Sequence, residues 1–157
     1  MATFSRTRRD VAEVPHPVDA VWGLLVDPQQ VARLTPLVAS IDVDDQGRWV
    51  WCLSRVPVPG QRVDLTMTEE MTFTPQTRID FAHAPLESGV RAGAQGHYLL
   101  EPVGRGTKLS IELTVTARLP LPGLARPAVE AAMHQVLNQM GQRFAANMLR
   151  ELGGGSP

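Results

Sequence analysis

The sequence predicts an α+β fold in which a long C-terminal helix closes one face of a curved antiparallel sheet, with two short helices after the first strand. Three observations carry this. Between residues 41 and 116, apolar and polar residues alternate with a period of two, as strands with one dry face do. From Pro127 to Leu152, apolar residues return at steps of three and four, as on a helix with one buried stripe. Two helix-start signals stand close together near the N-terminus.

The first of those signals is Pro17, suited to a first helical position, with Asp19 in the first turn and Val18, Val21, Trp22 and Leu25 at helical spacing. The second is Asp27-Pro28-Gln29-Gln30. Asp27 can cap, Pro28 needs no N–H partner, and Gln30 can reach back to the cap. Val31 and Leu34 give that helix its apolar face, and Pro36 ends it.

Ile41 and Val43 then open the strand region, with a turn at Asp45-Gln46-Gly47. Trp49, Trp51 and Leu53 share a face. Val63, Leu65, Met67, Met71 and Phe73 alternate with Asp64, Thr66, Thr68, Glu70 and Thr72. Ile79 and Phe81 form a short strand, Gly89 to Tyr98 a small-residue one, and Leu109 to Val115 the cleanest alternation. The closing helix carries Val129, Met133, Val136, Leu137, Met140, Phe144 and Met148, a rod of about 38 Å. Sheet and helix must bury their apolar faces against each other.

The 157 residues suit one domain over 1–152, with a flexible Gly-Gly-Gly-Ser-Pro tail at 153–157. Charges nearly cancel, 15 Lys+Arg against 16 Asp+Glu, so a broad nucleic-acid surface is not expected. There is no apolar run long enough to span a bilayer and no signal peptide pattern. The lone Cys52 cannot form an internal disulfide, which favours a cytoplasmic location. Four scattered histidines give no metal-ligand spacing, and no cofactor motif is present.

Three stretches bear a likeness to known proteins. They are Val14-Pro15-His16-Pro17-Val18-Asp19-Ala20-Val21-Trp22 through Asp27-Pro28, then Gly96-His97-Tyr98-Leu99-Leu100-Glu101-Pro102-Val103-Gly104 with Gly106-Thr107-Lys108-Leu109, and the closing helix. Together they resemble the START-like superfamily, which includes Bet v 1 allergens, polyketide cyclase/dehydrase-like proteins, Coq10-like proteins and a group of carbon monoxide dehydrogenase-associated proteins. The resemblance implies a helix-grip fold with an internal hydrophobic cavity and a small apolar ligand or lipid as partner.

With apolar faces turned to the helix, the expected lining includes Trp49, Trp51, Leu65, Met67, Met71, Ile79, Phe81, Tyr98, Leu100, Leu113 and Val115 from the sheet, and Met133, Met140 and Phe144 from the helix. Methionine adapts to varied apolar shapes. Ala92, Ala94 and Gly96 leave room, so either the helix sits closer there or something fills the space. Val56-Pro57-Val58-Pro59-Gly60 and Leu119-Pro120-Leu121-Pro122-Gly123-Leu124 are apolar for loops. They read as stiff turns, or as a cavity mouth making transient membrane contact.

Three polar residues fall in phase with the apolar face: Arg55, Glu69 and His83. Matching the dry faces of the hairpin around Pro75 places Phe73 by Ile79, Met71 by Phe81 and Glu69 opposite His83, in contact within the pocket. Such a pair could orient a ligand's polar end, or act as a general base. No nucleophile–base–orienter set is visible. The leading expectation is therefore non-catalytic binding of a small hydrophobic ligand or lipid. The alternatives are a cyclase/dehydratase-like enzyme using His83 and Glu69, and a protein-interaction module with a collapsed cavity. The oligomeric state is not fixed by the sequence.

Overall fold

The computed structural model describes residues 2–84 and 92–153. Its strands are β1 (Ala2–Val14), β2 (Val38–Val43), β3 (Trp49–Val58), β4 (Gln61–Thr74), β5 (Arg78–His83), β6 (Ala92–Val103) and β7 (Gly106–Leu119). They form one antiparallel sheet in the order β1-β7-β6-β5-β4-β3-β2. From β2 onward each strand pairs with its neighbour in sequence, and β1 pairs with the last strand. The two short helices are α1 (Val18–Leu25) and α2 (Pro28–Leu34). A 3-10 turn over Gly123–Ala125 leads into the long helix α3 (Arg126–Gly153), which the curved sheet embraces. Residues 89–91 of the strand expected from Gly89, and 154–157 of the expected tail, lie outside the described residues; Gly153 ends α3. Among the described residues no helix is long and apolar enough to cross a membrane.

The helix starts follow the sequence with small shifts. Pro17 takes the residue before α1, not its first position. The Asp27 carboxylate accepts the N–H groups of Gln29 at 3.0 Å and Gln30 at 3.4 Å, and Pro28 begins α2. Gln30 does not reach back. The Asp27 N–H is already donated to the Leu24 carbonyl at 3.2 Å, and the Gln30 side chain bonds Arg33 instead.

Two irregularities shape the sheet. The β3–β4 register shifts between Leu53 and Val56. At this bulge Arg55 takes a φ of 58°, its N–H bonds the Asp64 carboxylate at 2.9 Å, and its side chain is exposed. The added residue resets the alternation, so Arg55 leaves the dry face on which its phase had placed it and Val56 takes that face. The second lies in β6, whose pairing with β5 ends at Phe81 opposite Gly96. Gly96 has a φ of 154°, and a Cβ there would fall on the carbonyl of Glu112, so no other residue fits.

The long helix is held by its ends. Val129 is 0% exposed and packs with Phe4, Met67, Ala92, Ala94 and Leu119. Met148 is 2% exposed and packs with Val14, Val21, Leu25 and Leu100. Between them Met133, Val136, Leu137, Met140 and Phe144 are only half-buried. The α3 backbone comes closest to β1 at one edge of the sheet, to β3 near the other, and to α1 and α2. The small residues Ala92 and Ala94 let the start of the helix sit close to the sheet, so the room lies further along.

Candidate functional site

The sheet surface facing the middle of α3 carries Trp51, Leu65, Met71, Tyr98, Leu113 and Val115, all half-buried like Met133, Met140 and Phe144 across from them. Five other residues expected to line the space are core instead, Ile79 (0% exposed) and Leu100 (2%) among them in the cluster around Met148. Trp49 (4% exposed) packs with Val31 and Ile41 beneath α2, Met67 (8%) joins the cluster around Val129, and Phe81 (6%) tilts against Tyr98 with ring centroids 5.7 Å apart. The interior is not an empty tunnel. Trp51, Met133 and Met140 close onto the Met67 cluster, while Met71 and Phe144 close onto Trp49.

One charged group sits inside this apolar surround. Glu69 is 3% exposed and stands between Trp49 and His83 in the sheet register. Burial without a cation pushes its carboxyl up to about 8, so at neutral pH it holds its proton. The Trp51 indole N–H works against that shift by favouring the charged form. It falls short of hydrogen-bond geometry, and Trp51 Nε1 is buried with no partner among the described residues. Tyr98 is the third member. Its hydroxyl is pushed upward first by burial and then by the nearby Glu69 charge, so it stays a neutral phenol. Trp51 and Glu69 are diagonal neighbours on β3 and β4, since Trp51 pairs with Met67 and Trp49 with Glu69.

His83 lies opposite Glu69, in the expected register. The expected contact does not form. The ring of His83 packs on Gly93, where a Cβ would collide with it, because β5 and β6 part beyond Phe81 and Gly96 and open a gap there. Its Nδ1 is buried and has no partner among the described residues. His83 borders an open depression of about 280 Å³ with Thr3, Gln95, Thr114, Thr116 and Arg118, on the sheet face turned away from α3. A second depression, about 430 Å³, lies between α2 and β2.

Two arginines of β1 are seam residues. Arg6 bonds His134 at 3.3 Å, and Arg8 donates to Asn138 at 2.8 Å while pairing with Asp10. Arg8 lies along Gly141, which gives the guanidinium its place on α3. These cations are engaged at the β1–α3 edge, and Arg55 is outside, so neither supplies a counter-charge to Glu69. Among the described residues no three His, Cys, Asp or Glu side chains gather as metal ligands.

A curved antiparallel sheet gripping one long helix by its two ends, with an apolar surface and a few convergent polar groups between them, defines the helix-grip class of ligand-binding folds. The chain belongs to the family described as polyketide cyclase/dehydrase and lipid transport, whose model matches residues 1–150. Similar solved structures agree on the fold. The Zhui aromatase/cyclase from Streptomyces sp. R1128 superposes with a TM-score of 0.68 at 18% identity, over 94% of this chain and 93% of that one. A conserved protein from Geobacillus kaustophilus gives 0.71 at 15% identity, over 95% and 96%. A START superfamily protein from Mycobacterium smegmatis gives 0.65 at 14% identity, over 90% and 96%. No curated protein matches the sequence.

Proposed function

We propose that this chain binds a small hydrophobic molecule, such as a lipid or an aromatic compound, between α3 and the sheet, and does not transform it. The observation that carries the reading is the uneven burial of α3: Val129 and Met148 pin its ends, while the apolar side chains between them stay half-buried against half-buried sheet residues. Ligand entry needs only that flexible Met133 and Met140 swing aside, which methionine does at low cost. The mouth is assigned to the rim of that space, where Val58, Val63, Leu121 and Ala125 are partly buried against the cluster around Val129. There Leu124 is 95% exposed and Arg55, Arg62, Arg118 and Arg126 are exposed, a combination suited to brief contact with an anionic lipid surface.

Native mass spectrometry of the gently purified protein tests the reading, together with saturable uptake of the neutral dye N-phenyl-1-naphthylamine. The expected result is a co-purified hydrophobic adduct and displaceable dye. A bare chain mass together with no saturable uptake would overturn it. A catalytic reading keeps one support, the near-neutral titration of Glu69. It loses His83 as a directly bonded partner.

A further inference from the structure

We propose that Trp51, Glu69 and Tyr98 form an uncharged hydrogen-bonding anchor that selects apolar ligands bearing a neutral oxygen, an alcohol or a ketone, and turns away carboxylates. The inference rests on the ligand-binding reading above and deepens it. Its ground is geometric. Glu69 is 3% exposed and has neither an ion pair nor a hydrogen bond among the described residues. The Trp51 N–H beside it is buried and has no partner among the described residues. Tyr98 is near enough to feel the Glu69 charge, and its ring leans on Phe81. Native interiors rarely leave a group such as the Trp51 N–H unsatisfied, and it stands beside a buried carboxyl that no cation pairs among the described residues.

The donor inventory sets the ligand class. Trp51 can only donate. Glu69 with its proton donates once and accepts through its other oxygen, and Tyr98 as a phenol does both. Such a set completes its hydrogen bonds with a neutral ligand oxygen. A ligand carboxylate would bring a buried negative charge, and no cation among the described residues is placed to face it. Arg8 is bonded to Asn138 and Asp10, Arg6 to His134, and Arg55 is turned outward by the bulge. Burying an unpaired charge is heavily disfavoured.

Three probes of one shape separate these terms: 2-naphthalenemethanol, 2-ethylnaphthalene and 2-naphthoate, each measured by equilibrium dialysis near pH 7. The alcohol is expected to bind at least a hundredfold more tightly than the carboxylate. In Glu69→Met the alcohol is expected to weaken about tenfold, while 2-ethylnaphthalene does not weaken. Glu69→Gln, which keeps an uncharged donor and acceptor, is expected to hold the alcohol within about threefold of the unmodified chain. Equal loss of both neutral probes in Glu69→Met, or naphthoate binding as tightly as the alcohol, would overturn the anchor while leaving ligand binding intact. Failure of all three probes to bind would overturn the ligand-binding reading and the anchor together.

Discussion

Glu69 and His83 occupy directly opposed positions on β4 and β5, yet their side chains serve different surroundings: the carboxyl answers to Trp51 and Tyr98, and the imidazole ring to Gly93. Adding a methyl at residue 93 tests the second half of that statement. Gly93→Ala would drive a Cβ into the ring, and overpacking of this kind costs about 1–3 kcal/mol. His83→Ala combined with Gly93→Ala should recover much of the loss, because the two positions share one contact. Urea denaturation of the four proteins checks it. Additive single effects would show that the ring does not rest on Gly93.

Glu69 makes the stability of the chain depend on pH. In the folded protein it holds its proton up to about pH 8, against an ordinary value of 4.5. Across that window the folded state binds one proton more than the unfolded state. The group's contribution is therefore complete below the ordinary value and is lost as pH rises, by about 1.4 kcal/mol per unit, until the folded value is passed. Glu69→Gln removes this slope. The variant's urea midpoint is expected to gain on that of the unmodified chain from pH 5 to pH 8. Parallel curves over this range would mean that Glu69 does not titrate there.

Gly96 marks the bend where β5 and β6 separate, and it admits no substitute. A Cβ would strike the carbonyl of Glu112, which belongs to the backbone of β7 and cannot swing away as a side chain can. Gly96→Ala is expected to cost about 2–4 kcal/mol. Thermal unfolding measures it. A melting temperature unchanged within error would show that the sheet can bend by another route.

Much of this architecture was readable from pattern alone, and its failures are local. Dry-face matching gave the Glu69–His83 register because a one-residue slip would have turned Met71 and Phe81 to water. The same alternation misplaced Arg55. A bulge inserts one residue into the count, and here it is built on an arginine at positive φ rather than the glycine that would have signalled it. The expected Glu69–His83 contact failed because register fixes Cα positions, whereas the ring's resting place depended on the parting of β5 from β6. The Trp51–Glu69 neighbourhood could have been found by matching dry faces across β3 and β4 as well. The seam of Arg6 and Arg8 with α3 could not, since no period relates an edge strand to a helix more than a hundred residues later.

The rim prediction turns on charge and one leucine. Leu124 is 95% exposed on the turn that leads into α3, next to the Arg126 side chain, whose guanidinium stacks over Phe4 at 5.1 Å and bonds the Thr3 carbonyl at 3.1 Å. Held this way, the arginine cannot fold over the leucine to cover it. An anionic surface supplies both an apolar boundary for Leu124 and counter-charges for the arginines, each worth about 1 kcal/mol near such a surface. Vesicles of phosphatidylglycerol and phosphatidylcholine are therefore expected to sediment the protein, and pure phosphatidylcholine much less. Leu124→Asp should lower that binding about fivefold or more without changing the melting temperature, since the side chain contributes nothing to the core. Raising the salt to about 0.5 M should weaken it as well, because ions screen the arginines. Equal binding to both vesicle types, or none to either, would show that the rim does not recognise an anionic membrane.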